Sequence, residues 1–265
     1  MTPRRRTLAI CAVPVVALFV VVAAAPLPFS LAQPGLTADV LGDNKGKPVI
    51  TISGEGAKER AAKGGGGQLR MTTIAATPPD ATVRLPDVVR NWFRDDRAVM
   101  PRDAVYPVGD STAEADKYQK SEMRKSQDVA VKAAMNQLHR SADDVKVQLR
   151  LADVGGPSAG LLFSLGIVDK LDGDGSGGSL SGGRTIAGTG TIDKDGKVGA
   201  VGGVPLKTRA AKRDGASVFL VPRAECQDAK SGLPKGLRLV PVSTLNGAVD
   251  SLKALQKGGK VPSCP

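Results

Sequence analysis

Asp153-Val-Gly-Gly-Pro-Ser158-Ala-Gly160 and, further on, Gly202-Gly203-Val-Pro-Leu-Lys207-Thr-Arg-Ala-Ala211 are the two stretches that decide how this 265-residue chain is read. A serine between small residues and a lysine opening a helix are the two parts of a Ser–Lys hydrolase, in which an amine activates the hydroxyl. The chain has one histidine, His139, and it precedes the serine. Gly156-Pro-Ser158-Ala-Gly160 also fits the G-x-S-x-G nucleophile elbow, but that fold needs the order serine, acid, histidine. No histidine follows Ser158, so that triad cannot be built. If Ser158 attacks, its base is another group.

Lysine serves as a base only when neutral, so its pKa must fall from about 10.4 toward roughly 7–8. Burial does this by disfavouring the ammonium form. Position adds to it: Pro205 suits the first turn of a helix, which puts Lys207 near the positive N-terminal end. Val204, Leu206 and the Gly-Gly pair supply no counter-charge. Around the serine, Gly155 and Gly156 let the backbone approach a substrate carbonyl, and Pro157 fixes φ just before the nucleophile. Backbone N–H groups at the start of the helix at Ala159 would form an oxyanion hole. The same residues also read as a plain turn with a helix N-cap and a surface lysine; it is their joint occurrence that favours catalysis.

The combination resembles the Lon-type serine peptidases. That family places its serine in a Gly-Pro-Ser-Ala-Gly turn and its lysine a few tens of residues later, in a helix that follows a Gly-Gly pair. Here the turn is Gly156–Gly160, the strand end is Thr189-Gly190, and the lysine segment runs from Gly202-Gly203 to Ala210-Ala211-Lys212-Arg213. The resemblance covers roughly residues 66–255 and is strongest to membrane-anchored Lon-like proteins of high-GC bacteria, which share Ile186-Ala-Gly-Thr-Gly-Thr-Ile-Asp193 and Val218-Phe-Leu-Val-Pro222. It implies a mixed α/β (α+β) Lon proteolytic-domain fold, with Ser158 as nucleophile, Lys207 as base and Thr189 orienting the amine. It also implies polypeptide substrates, no cofactor and no metal. Rings are common in the family, so a homo-oligomer is implied by analogy alone. The relatives' PDZ domain, between the helix ending near His139 and the strand at Val145, has no counterpart here. Two departures stand out. Ser158 and Lys207 are 49 residues apart, more than is usual, with Asp172–Gly183 able to absorb the excess. Gly155 also stands where an acid is common, with Asp153 nearby. No G-x-x-x-x-G-K-[ST] loop occurs, so cleavage is expected to be ATP-independent.

Arg4–Arg6 precede an almost wholly apolar run, Leu8–Ala25. Eighteen residues rise about 27 Å as a helix, close to the hydrocarbon thickness, and flanking arginines place the N-terminus in the cytoplasm. A cleaved signal peptide with Ser30-Leu31-Ala32 as its exit is the competing reading. Either reading puts the rest of the chain outside, where Cys226 and Cys264 would form a disulfide; Cys11 stays in the apolar run. The expected domains are 1–32 (stub and anchor, or signal sequence), 33–65 (juxtamembrane β-hairpin and linker) and 66–265 (peptidase domain). The net charge of +11 suggests nucleic acid, but only 3% of residues are aromatic and the charge is dispersed. A basic surface near an anionic membrane or wall explains it better.

Patterning fills in the remainder. Val40-Leu41 and Val49–Ile52 read as a hairpin around Asp43–Gly46, and Gln68–Ala75 as a strand. Leu85–Phe93 reads as a short helix with Trp92 and Phe93 as packing anchors. Ser111–Glu114 is a capping box for a helix with its apolar face at Val131, Ala134, Met135 and Leu138, capped by His139. Val145–Leu151 alternates as a strand, Leu161–Leu171 as a buried helix and Asp172–Gly183 as a loop whose start resembles a calcium loop but has Gly183 where bidentate Glu is needed. Strands at Thr185–Ile192, Val198–Val201, Ala216–Val221 and Leu237–Val242 and a helix at Leu245–Leu255 complete the domain. Two other functions remain open: a non-catalytic membrane-anchored scaffold that keeps the fold, and a different Ser–Lys hydrolase acting on wall or signal peptides.

Overall fold

The computed structural model describes residues 3–54, 67–109, 111–141, 145–151 and 156–265, with the side chains of residues 3–11 outside the described part. Asp153, Gly155 and most of the Ala61–Gly67 linker therefore lie outside the described residues. In chain order the first elements are α1 (Pro3–Ala24), β1 (Phe29–Asp39), β2 (Asp43–Asn44), β3 (Lys47–Pro48), β4 (Ile50–Ser53) and β5 (Gln68–Ala76). Next come α2 (Leu85–Trp92), β6 (Ala98–Pro101), α3 (Arg102–Val105), α4 (Thr112–Leu138) and β7 (Lys146–Leu149). A 3-10 turn, Pro157–Ala159, leads into α5 (Gly160–Leu171), β8 (Thr185–Gly188), β9 (Thr191–Ile192), β10 (Val198–Gly199) and α6 (Val204–Arg213). The chain closes with β11 (Val218–Pro222), α7 (Cys226–Lys230), β12 (Arg238–Val242) and α8 (Leu245–Gln256). Two compact units result: residues 1–33 with 76–115, and residues 34–75 with 116–265.

In the second unit β5, β8, β11 and β12 are parallel, in the order β12-β11-β8-β5-β1. Parallel strands covered on both faces need apolar side chains in both directions, and Val218-Phe-Leu-Val221 supplies them. Val218 and Leu220, with Ile186 and Val240, pack in one core with Leu161, Leu165 and Ile167 of α5 and Leu252 of α8. Phe219 and Val221, with Ala187 and Leu239, face the other way, into a core with Val204 and Ala211 of α6 and Ala229 of α7. The sheet is thus sandwiched: α5 and α8 lie on one face, α6 and α7 on the other.

The expected pairing of Val40-Leu41 with Val49–Ile52 gives way to a different one. β4 pairs with β7, Ile50 opposite Leu149 and Ile52 opposite Val147, which buries Ile50 and Ile52. Val40 instead donates its N–H to Leu69 O at 2.8 Å, and only β2 and β3 form the short hairpin. The expected single strand Thr185–Ile192 is broken at Thr189-Gly190, because β9 turns away to pair with β10.

In the first unit, β1 begins by pairing antiparallel with β6, Phe29 opposite Pro101 and Ala32 opposite Ala98. The serine half of the expected capping box is present: Ser111 Oγ accepts from Glu114 N–H at 3.3 Å, and the Glu114 carboxylate accepts from the Ser111 hydroxyl at 3.1 Å. Trp92 and Phe93 are not packing anchors. Trp92 is 68% and Phe93, just past the end of α2, 83% exposed, and no residue of α2 is buried. The expected span Leu8–Ala25 falls almost wholly within α1, with Pro14 inside the helix and Arg4–Arg6 and Cys11 among the undescribed side chains. Large apolar side chains from Val13 to Val22 are exposed. Among the described residues no helix is long and apolar enough to cross a membrane.

Candidate active site

The site lies where β8 breaks, at the carboxyl end of a parallel strand, a usual location for a ligand in such sheets. Ser158 arrives from the α5 face and Lys207 from the α6 face, and Thr189 stands between them. Thr189 is fully buried and held by its N–H to Leu220 O at 3.2 Å. Its hydroxyl accepts from Lys207 Nζ at 3.1 Å and donates to the Ser158 carbonyl at 3.2 Å. Gly190 N–H donates to that same carbonyl at 2.9 Å. The lysine amine is therefore two hydrogen bonds from the serine backbone.

Glycines make the turns possible. Gly156 has φ +94° with open space around a would-be Cβ, so conformation and not crowding demands glycine. Gly203, the N-cap of α6, has φ +70°, and a Cβ there would lie 2.8 Å from Ile74 Cγ2. Pro205 follows in the first turn, and Lys207 N–H closes that turn on Gly203 O at 3.1 Å. Ser126 Oγ, from α4, donates to Pro157 O at 3.0 Å and steadies the serine turn.

Lys207 is 4% exposed. Burial lowers its pKa from 10.5 to about 8, and the carboxylate of Glu225 opposes that shift. The absence of counter-charge expected from its sequence neighbours thus does not hold in three dimensions. Glu225 is itself raised, first by burial and then by Asp228, while Lys207 pulls it down. No sequence signal singles out Glu225: it precedes α7, just beyond the end of β11, and reaches the site only through the strand order. The helix-start N–H groups are also partly engaged. Gly160 N–H donates to Pro157 O, and Leu161 N–H to Gly190 O at 3.1 Å. Ala159 is buried and Ser158 half-buried.

Elsewhere, Cys226 and Cys264 are bonded, which fastens the chain's end beside α7. His139 is exposed, with φ +51°. It forms the left-handed end of α4: its N–H donates to Asn136 O at 3.2 Å and Arg140 N–H donates to Met135 O at 3.0 Å, a Schellman motif. In the Asp172–Gly183 loop, Asp174 Oδ1 accepts from Ser176 N–H, Ser176 Oγ and Gly178 N–H at 2.8–2.9 Å. Among the described residues no group of three or more His, Cys, Asp or Glu could hold a metal ion.

Comparison with known proteins bears on the same segment. The chain is 33% identical to Lon protease 1 of Myxococcus xanthus over 105 residues, which covers 38% of this chain and 12% of that protein. It is 34% identical to Lon protease of Chloroflexus aggregans over 94 residues, covering 34% and 11%. Against Lon protease of Neorickettsia sennetsu it is 33% identical over 98 residues, covering 36% and 11%. The chain thus spans only 11–12% of the length of these relatives. The family model for the Lon protease (S16) C-terminal proteolytic domain matches residues 109–253, more than half of the chain. Serine turn, Thr-Gly strand end and lysine helix all fall within that match, and the chain belongs to the Lon protease (S16) C-terminal proteolytic domain family.

Proposed function

We propose that the protein is a serine endopeptidase in which Ser158 Oγ attacks the peptide carbonyl and neutral Lys207 accepts the hydroxyl proton. The ammonium then returns the proton to the leaving amine, and water, deprotonated by the same lysine, releases the acyl group. Thr189 orients the amine. Gly160 and Leu161 direct their N–H groups elsewhere, so the donors to the oxyanion are assigned to the N–H groups of Ser158 and Ala159, with Gly156 leaving room for the substrate backbone. The observation that carries this reading is the buried Lys207 amine, joined through the Thr189 hydroxyl to Ser158.

We further propose that cleavage needs no ATP, since no phosphate-binding loop occurs within the 265 residues, and that substrates are unfolded or flexible extracytoplasmic chains. The apolar run of α1 would anchor the protein in the membrane as a single pass, with the catalytic unit outside. Incubating the full chain with unfolded casein tests the activity. Wild type should degrade casein equally with and without ATP, and a folded Ser158→Ala variant should not. Casein cleavage that survives in Ser158→Ala would reject the assignment. Protease added to intact spheroplasts should digest the chain beyond Pro26; protection there, lost on lysis, would reject the topology.

A further inference from the structure

We propose that α2 and Phe93 form a foot that lies in the headgroup layer of a lipid bilayer, an inference that rests on reading α1 as the anchor. Leu85, Val88, Val89, Trp92 and Phe93 recur at i, i+3, i+4, i+7 and i+8, one apolar stripe along a helix. Such a stripe normally packs onto a core. Here no residue of α2 is buried, and Val89, Trp92 and Phe93 are 48%, 68% and 83% exposed. An exposed stripe with two aromatics marks an interaction surface.

The first unit fixes where that surface sits. Leu27, three residues beyond the end of α1, forms an antiparallel bridge with Val83, two residues before α2, its N–H donating to Val83 O at 2.8 Å. Arg102 ties the same strands together: its N–H donates to Pro28 O at 3.0 Å and its Nη2 to Ala81 O at 3.1 Å. The start of α2 is thereby held at the level where α1 ends. Helix α2 is about 12 Å long, and it lies in the same unit as the exposed apolar side chains Val13–Val22 of α1. If α1 is inserted, the foot meets the interface, the layer that tryptophan prefers and that amphipathic helices occupy.

The charges suit that occupant. Arg84, Arg90, Arg94 and Arg97 flank the stripe against Asp87, Asp95 and Asp96. Arg90 and Asp87 pair at 3.6 Å in solvent, a pair that holds weakly, whereas Arg94 donates to both carboxylate oxygens of Asp96 at 3.0 Å. Arginine stems lie along apolar surface while their guanidinium groups reach phosphate. A bilayer covers the α1 and α2 surfaces together, whereas a protein partner would have to match both.

Trp92 is the only tryptophan of the chain, so its fluorescence reports on the foot directly. The full chain is reconstituted into vesicles of phosphatidylcholine and phosphatidylglycerol carrying a doxyl quencher either near the headgroup or at the acyl end, and the vesicles are floated. The protein should float, Trp92 emission should shift to the blue, and the shallow quencher should act at least about twofold more strongly than the deep one. A floating protein whose Trp92 emits as in water and responds to neither quencher overturns the foot and leaves the anchor standing. A protein that does not float overturns both. A blue shift that follows protein concentration and ignores both quenchers assigns the stripe to a second copy of the chain and likewise overturns the foot.

Discussion

Lys207 is where the proposed chemistry and the cost of folding meet. Its folded pKa of about 8 lies below the ordinary 10.5. Between those values the unfolded chain holds a proton that the folded chain has released, so stability rises with pH across that window. Below about pH 8 both states are protonated, and the folded protein bears the full cost of a buried cation, about 3 kcal/mol by 1.36 kcal/mol per unit. Lys207→Met should therefore raise the urea midpoint at pH 6–7 relative to wild type while peptide hydrolysis is lost; an unchanged midpoint would contradict the account of the burial. Glu225→Gln removes the carboxylate that holds the amine protonated, so the rise of activity with pH should move to lower pH; a move upward would contradict it. Ser158, Thr189 and Lys207 are legible in the sequence because each sits in a short motif. Glu225 is not, because its closeness to Lys207 is made by β11 and α6 packing together and by no spacing along the chain.

The elements that deliver these residues depend on backbone conformations side chains resist. Gly203→Ala would place a Cβ at φ +70° and 2.8 Å from Ile74 Cγ2. It should cost about 1–3 kcal/mol in chemical denaturation and lower activity with it, since α6 carries Lys207. His139→Gly should do the reverse, gaining up to about 1 kcal/mol by relieving a left-handed residue at the end of α4, with activity unchanged. The apolar patterning and helix-start residues of α4, α5, α6 and α8 make those helices legible in the sequence. Patterning fails for β1, whose residues Ser30-Leu31-Ala32 read as the exit site of a cleaved signal peptide, and for β4, whose partner β7 lies almost a hundred residues away. It also identifies the stripe of α2 but not its exposure, since an apolar face does not say what covers it.

At the scale of the whole molecule, Val218-Phe-Leu-Val221 is the sequence record of a sheet covered on both faces, and the serine and lysine helices lie on opposite faces of that sheet. The Cys226–Cys264 bond fastens the chain's end to α7, next to Glu225. Its reduction should lower stability by about 4 kcal/mol in the chain-entropy model for a separation of 38 residues, read as a fall in the denaturation midpoint with reductant; an equal midpoint would show that the tail contributes nothing. How the two units divide the chain is not legible in the sequence, because residues 76–115 return to residues 1–33 through pairings such as Leu27 with Val83. The pH–rate profile of peptide hydrolysis tests the central claim most directly, measured for wild type, Lys207→Ala and His139→Gly. The account predicts a rise through about pH 8 in wild type and in His139→Gly, and no activity at any pH in folded Lys207→Ala. A rise near pH 6.5, the ordinary range of histidine, that disappears in His139→Gly while Lys207→Ala stays active would contradict it.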